Sequence, residues 1–429
     1  MKAKFNNVIL SDFIELKHGY QFRDSDFTEN GIPIIKIGNV WEKGLSLENV
    51  SFISKSRLEI FKNFTIHNGD ILMSLTGNIG RVVEVKGLST VVLQNYRVGN
   101  FYSKNENLLE KNFIKWILSS TTLLKQLERY SNQSAQANFG KQDLDKLKFD
   151  LPTIPYQRKI AKILTNCDEV IEQTEAAIAK YQALKQGMMQ DLFRRGIDIK
   201  TGKLRPSFKD APELYKESEF GMIPNEWEVK TISEIAEVNS GGTPSSYISD
   251  FWNGEILWIT PSDLSKLKFG EISNSERKIT ENGFKNSSAI LIPKNSLVIS
   301  SRAPIGYCAI VRKEFTTNQG CKSITFDENN NVDYYYYNVS FHVNKIKLKG
   351  EGTTFAEISK KELEKIQFVN CNINEQISVA LQLKSIDDKL KIELDLLAKY
   401  KHIKTGLMQD LLSGKVEVKI EGVAEKPLS

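Results

Sequence analysis

Little in this chain points to chemistry of its own. Four cysteines, Cys167, Cys308, Cys321 and Cys371, are scattered over 429 residues, which argues against a disulfide framework and for free thiols in a reducing cytoplasm. Four histidines, His18, His67, His342 and His402, fall in no HExxH or paired CxxC spacing, so no metal site is legible. The Gly-Lys pairs at 140–141, 202–203 and 414–415 lack the following Ser or Thr of a phosphate-binding P-loop. An Asn-Pro-Pro-aromatic motif, which an adenine amino-methyltransferase needs around its target amine, is missing as well. No apolar run approaches the ~18–20 residues of a bilayer span, and residues 1–20 lack the apolar stretch of a signal peptide. The charge excess is small: 58 Lys+Arg against 53 Asp+Glu leaves +5, which permits nucleic-acid binding without demanding it. With 40% hydrophobic and 26% charged residues the composition is that of a soluble globular chain, long enough for two domains or three.

What is there is a duplication. Residues 155–193 repeat as 374–412 at a constant offset of 219, with Gln157 over Gln376, Ala161 over Ala380, Leu164 over Leu383 and Asp168 over Asp387. KQGMMQDL at 185–192 returns as KTGLMQDL at 404–411, and the register runs back through Leu144/Leu363 and Phe149/Phe368. Chance does not hold one offset over about fifty positions. Upstream the offset drifts, as loop insertions require. Residues 69–85 lie over 295–311, 32–40 over 256–264, and 16–22 over 239–245, with Gln94 near Gln319. Each repeat is a variable unit of roughly 150 residues followed by a better-matched segment of about 40. The spacing predicts six segments: 1–152 and 226–370 as the two variable domains, 153–196 and 371–413 as long helices, 197–225 as a polar linker with proline and glycine breakers, and 414–429 as a charged tail.

The variable units read as strands and turns, with short β-branched runs at 32–37, 82–85, 289–292 and 297–299, and a helical stretch at 113–129 and 332–348. The 40-mers read as helices. Ile160, Cys167, Thr174, Tyr181 and Met188 are spaced by seven, as are Val379 and Ile386, with leucines and isoleucines interleaved four residues on. Such heptads predict a coiled coil, and a pseudo-two-fold pairing sets the two helices antiparallel, with the variable units at opposite ends of a rod. Apolar Ile163, Val170, Ala177 and Leu184 widen the stripe enough to pack against something besides the partner helix. Gly187 and Gly406, at equivalent helical places, fit either a tolerated kink or a close packing contact. The predicted fold class is α+β: two mixed α/β domains separated by two long antiparallel coiled-coil helices, with an internal pseudo-two-fold repeat.

Candidate functional residues lie in the polar loops of the variable units. Ser74, Thr76, Asn78 and Arg81 correspond to the region of Ser300, Ser301 and Arg302; Gln94, Asn95 and Arg97 stand against Asn318, Gln319 and Lys322. Arg, Gln and Asn make bidentate contacts to base edges, and Ser, Thr and Lys serve phosphates. Lys36 and Asn39 in the first unit, and Thr243, Thr260, Asp263 and Thr353 in the second, complete the set of DNA-contact candidates. Ordinary loop solvation is the alternative for any one of them. Gly-Gly-Thr-Pro-Ser at 241–245 fits a phosphate cradle, though a plain turn is simpler. Tyr334, Tyr335, Tyr336 and Tyr337 point all round a helix, which favours packing over base stacking. Asp263, Glu276 and Lys278 have the acidic–acidic–Lys order of a magnesium-dependent nuclease, but Asn39 replaces the aspartate in the first repeat.

At this point the chain resembles the specificity subunits of type I restriction–modification systems, over nearly its whole length. The resemblance rests on the duplicated helix ends at 185–192 and 404–411, Ser-Gly-Gly-Thr-Pro at 240–244, Ser300 and Arg302 with Ile305-Gly306, Thr-Asn-Gln-Gly at 317–320, and Gly-Met-Ile-Pro at 221–224 with Trp227. The first unit departs from the pattern, with Lys-His-Gly-Tyr at 17–20 and Leu-Gln-Asn at 93–95. The resemblance implies two target-recognition domains, each reading one half of a bipartite asymmetric site in double-stranded DNA. It implies a cytoplasmic, non-catalytic subunit that binds no cofactor. Two modification subunits would supply S-adenosylmethionine-dependent N6-adenine methylation, and restriction subunits would bring ATP and magnesium. Rival readings are a related subunit serving another methyltransferase–nuclease arrangement, the standalone nuclease, and a coiled-coil scaffold with no DNA role.

Overall fold

A computed structural model describes residues 5–41, 44–131, 139–302, 304–350 and 357–420. The chain forms two compact units, and neither coincides with a sequence repeat: the first comprises residues 1–174 with 396–429, the second residues 175–395. The two long helices, Ile154–Leu192 and Ile373–Leu412, each contribute one segment to each unit.

In the first unit a four-stranded antiparallel sheet has the order Val82–Glu84, Ile71–Ser74, Val98–Ser103, Ile14–His18. A second, mixed sheet centres on Ile32–Ile35, which pairs antiparallel with Ser51–Ile53 and parallel with Val92–Gln94. The second unit repeats both arrangements. Cys308–Val311, Ser296–Ser300, Cys321–Phe326 and Ala236–Ser240 follow in the same order, and Trp252–Ile259 lies between Arg277–Ile279 and, in parallel, Phe315–Thr317. These strands are continuous apolar runs because both faces are covered: all of Ile71–Ser74 and Ser296–Ser300 is buried. The run at 289–292 forms no strand and contributes one isolated bridge, Ile292 to Phe315. The stretch at 113–129 divides into Lys111–Leu118 and Thr121–Ser131, because Ser120 restarts the helix by accepting from the Leu123 amide at 3.2 Å. Val332–Phe341 and Val343–Gly350 divide likewise. Residues 197–225, read as a polar linker, fold into two small hairpins, Ile197–Asp198 with Lys203–Leu204 and Tyr215–Ser218 with Gly221–Pro224.

The helical segments run antiparallel within each unit, and duplicated residues hold them there. In the first unit Asp168 takes Lys404 at 2.6 Å and Lys115 at 2.7 Å; in the second, Asp387 takes Lys185 at 2.6 Å and the Tyr337 hydroxyl at 2.9 Å. The duplicated glutamines fasten each short helix to its long one. Gln157 Oε1 accepts from the Glu110 amide at 2.8 Å, and Gln376 Oε1 accepts from the Asn331 amide at 2.7 Å. Ile160, Leu164 and Leu411 join the first core, and Val379, Leu383 and Met189 the second. Gly187 and Gly406 lie within uninterrupted helix, and a Cβ at either meets nothing within 4 Å, so neither serves a close packing contact with this chain. Val170, Leu184, Leu381 and Ile392 remain exposed on the helices. A buried knot fixes the segment after the first helix: Glu375, fully buried, pairs with Arg205 and accepts from Trp227 Nε1 at 3.1 Å and the Ile197 amide at 2.8 Å. Paired this way, the buried carboxylate escapes the several kcal/mol that an unpaired charge there would cost, roughly.

Tyr334, Tyr335 and Tyr337 are buried, with hydroxyls donated to Val369 O, Asn330 Oδ1 and Asp387 Oδ2, so this run is core and not a stacking platform. The cysteines are free, and burial pushes the Cys308 thiol up to about 11 and Cys321 up to about 12. Among the described residues, no helix is long and apolar enough to cross a membrane.

Burial pushes the Asp168 carboxyl up, but hydrogen bonds from Lys115 and Lys404 overcome it and hold the group below the usual carboxylate range. A lowered folded value means the contribution is present at neutral pH and is lost as pH falls through that value. Asp168→Asn should therefore destabilise the protein by about 1.5–3 kcal/mol at pH 7, and the deficit should shrink below about pH 4. Urea unfolding of both proteins across pH 3–7, on the order of one-unit steps, measures this.

Candidate nucleic-acid interface

In both units the carboxyl ends of three strands converge on one turn, and the same backbone hydrogen bonds build the junction. The Asn95 amide donates to Ile35 O at 3.0 Å, and the Asn318 amide to Ile259 O at 3.1 Å. Tyr20 N bonds Gln94 O at 2.9 Å where Gly242 N bonds Thr317 O at 2.8 Å; Leu75 N bonds Arg97 O at 2.9 Å where Ser301 N bonds Gly320 O at 2.8 Å. Side chains repeat the pattern. Ser74 donates to Asn78 O at 2.5 Å and Ser300 to Pro304 O at 2.8 Å; Asn39 Oδ1 accepts from the Lys36 amide at 3.0 Å and Asp263 Oδ2 from the Thr260 amide at 2.9 Å.

This register corrects the correspondences drawn between the units. Asn95 matches Asn318, Tyr96 matches Gln319, and Gly99, opposite His18 as Lys322 is opposite Ser240, matches Lys322. Gln94 is therefore the counterpart of Thr317, and residues 16–22 fall one place earlier than an alignment over 239–245 puts them; Arg81 stays over Tyr307, as the alignment of 69–85 with 295–311 has it. A one-residue slip exchanges the faces of a strand, so it decides which side chains point out. In the corrected register Gly19 stands over Gly241. Both are needed for close approach: a Cβ on Gly19 would come 2.1 Å from Gln94 O, and one on Gly241 2.0 Å from Asn318 O.

The candidate residues divide by where their polar atoms go. Asn39, Ser74, Gln94, Asp263 and Ser300 are buried and turn inward. Gln94 Nε2 donates to Lys17 O at 2.9 Å and Val98 O at 2.7 Å, and Asp263 also accepts from the Thr260 hydroxyl at 2.6 Å and the Glu276 amide at 2.8 Å. Asp263 of the nuclease-like triplet is thus part of a helix cap, spent on two amides and a hydroxyl, while Glu276 pairs with Lys266 at 2.5 Å and Lys278 with Glu255 at 3.8 Å. Among the described residues, no cluster of His, Cys, Asp or Glu is placed to hold a metal ion. Thr260 belongs to the same cap, and Thr76 Oγ1 is buried with no protein partner.

Other candidates reach the surface. Lys36 Nζ lies 4.5 Å from the Phe27 ring centroid and donates to Ser51 at 2.7 Å; Asn78 is exposed; Arg81 lies over the Trp41 ring at 5.2 Å; Arg97 donates to the Tyr96 hydroxyl at 2.8 Å. In the second unit Thr243 donates to Gln319 Oε1, both exposed. Arg302 and Lys322 share Glu357, at 3.3 and 3.9 Å, and burial lowers the Lys322 ammonium below the usual lysine range despite that carboxylate. Thr353 lies outside the described residues. Three aromatics were not singled out from sequence: Trp41, 52% exposed, Tyr96 beside Arg97, and Tyr247, 98% exposed. Their only sequence signal is an aromatic set among loop-forming polar residues.

A family model for the type I restriction modification DNA specificity domain matches the chain twice, at residues 2–181 and 224–401. The chain belongs to this family of DNA-specificity subunits, which are recognition components and not catalytic ones. Among its relatives, the MjaIX specificity subunit of Methanocaldococcus jannaschii is 38% identical over 179 residues, 41% of each chain. The MjaX specificity subunit of the same organism is 26% identical across 96% of this chain and 93% of that one. The crystal structure of a type I S subunit from M. genitalium shares the fold, with a TM-score of 0.62 over 96% of both chains at 15% identity.

Because the added methyl group meets backbone atoms, Gly241→Ala should destabilise the second unit by about 1–3 kcal/mol, and Gly19→Ala the first unit by a similar amount. Hydrogen exchange at each unit's core strands checks it: protection should fall in the substituted unit and persist in the other.

Proposed function

We propose that each unit reads one half of a bipartite, asymmetric DNA site, through the exposed side chains around its strand-end junction. The observation that carries this reading is one backbone frame bearing different outward residues. Half-buried Lys36 and Arg81 and exposed Arg97 stand on the first frame; exposed Thr243, Arg302 and Gln319 stand on the second. A shared frame with exchanged polar ends is what two readers of different sequence require. The chain itself performs no transfer or cleavage. Two modification subunits dock on the long helices, where Val170, Leu184, Leu381 and Ile392 offer apolar surface, and they supply S-adenosylmethionine-dependent N6-adenine methylation. Restriction subunits join that assembly with ATP and magnesium, in the cytoplasm.

Co-expression with the cognate modification subunit, followed by genome-wide mapping of N6-methyladenine, tests the reading. Exchanging residues 1–152 for those of a relative should change one half of the methylated site and leave the other intact. Methylation that persists at the original site after this exchange would show that specificity resides elsewhere.

A further inference from the structure

Arg277 opens the strand Arg277–Ile279 and sits opposite Trp258 in its antiparallel pairing with Trp252–Ile259. Its guanidinium carbon lies 3.5 Å from the centroid of the Trp252 ring and 5.5 Å from that of Trp258. The two indoles meet edge to face at 4.9 Å, both nearly buried, so the platform under the cation is fixed. The same rings are pinned to the glycine loop of the junction. Trp258 Nε1 donates to Gly242 O at 2.9 Å and Trp252 Nε1 to Ser245 O at 3.0 Å, while Thr243 between them bonds Gln319. Arg277 is thereby mechanically continuous with the exposed residues of the second junction.

Its charge is unspent. Arg302 pairs with Glu357, and Arg312 with Glu271 and Asp333; among the described residues no acceptor meets the Arg277 guanidinium, although the residue is exposed. An arginine stacked by its face keeps its hydrogen-bonding edge outward and has little rotamer freedom left to lose. The counterpart position in the first unit is Ser51, opposite Ile34, and there the cation arrives from the adjacent strand end as Lys36, bonded to Ser51. The second unit has Thr260 at the Lys36 position. One corner of the frame therefore carries a compact ammonium in one unit and a planar fork in the other.

We propose that Arg277 is a specificity-determining residue that reads the O6/N7 edge of a guanine in the half-site assigned to the second unit. This rests on the reading of that unit as a DNA reader. A guanidinium meets guanine O6 and N7 with two donors of a rigid planar fork, whereas an ammonium is a point charge on a flexible stem and does not keep the stacked geometry.

The test compares Arg277→Ala and Arg277→Lys in the full chain, co-expressed with the modification subunit, by mapping methylated sites. Both variants should lose discrimination at one base pair of the second half-site, by roughly 5- to 150-fold, with the first half-site unchanged. Arg277→Lys keeps its alkyl stem on Trp252, so it remains the test should the alanine variant fail to fold. A lysine variant that retains the wild-type site overturns the proposal in favour of a simple charge contact. An exchange of residues 226–370 run in parallel separates the two levels. If it shifts the second half-site while the Arg277 variants do not, only the arginine is wrong. If it shifts nothing, the assignment of that unit to DNA reading falls, and Arg277 with it.

Discussion

An aspartate on one long helix pairs with a lysine on the other, and both times the pair crosses the repeat boundary. Asp168 of the first repeat takes Lys404 of the second, and Asp387 of the second takes Lys185 of the first. Neither repeat completes a compact unit by itself, because each unit draws a helical segment from both. The duplicated Gln, Asp and Lys are therefore one reciprocal fastening used twice. Gln157 and Gln376 carry it from the helices into the domains by satisfying the first amides of the short helices that cover each sheet.

From that anchorage follows a division of labour at the junctions. Buried polar side chains such as Gln94, Ser74, Ser300 and Asp263 satisfy backbone groups and hold the strand ends together. Such groups cannot be exchanged freely, since each removal strands a buried partner at a cost of about 1–3 kcal/mol. The outward residues carry no such obligation. Lys36, Arg81 and Arg97 on one frame and Thr243, Gln319 and Arg302 on the other can differ without loss of fold, which is the physical basis for a scaffold that recognises unlike sequences.

Electrostatics sharpens the contrast between the units. In the second, Arg302 and Lys322 share the single carboxylate of Glu357, whereas the tryptophan-backed Arg277 has no carboxylate partner among the described residues. In the first, cations rest on Phe27, Trp41 and Tyr96 and meet no carboxylate among the described residues. Aromatic platforms orient a cation without cancelling its charge, and this preserves it for phosphate or base.

Self-similarity and heptad spacing determined the duplication, the two long helices, their antiparallel sense and the strand-rich character of the variable units, because a fixed offset and a seven-residue period are properties of residue order alone. Packing of the tyrosine run was legible too, since four adjacent aromatics point all round a helix, and Tyr334, Tyr335 and Tyr337 are core. What only the tertiary structure decided was register and direction. The slip that places Gly19 over Gly241 is set by hydrogen bonds between strands far apart in sequence. Whether Gln94 faces solvent or the Val98 carbonyl depends on which side of the turn its strand presents. Arg277 stands between Glu276 and Lys278 with no signal of its own in the sequence, and its stacking arises from Trp252, which lies on the neighbouring strand. Residue type fixes what a side chain is able to donate; only the packing of distant strands decides whether the protein itself has already taken the offer.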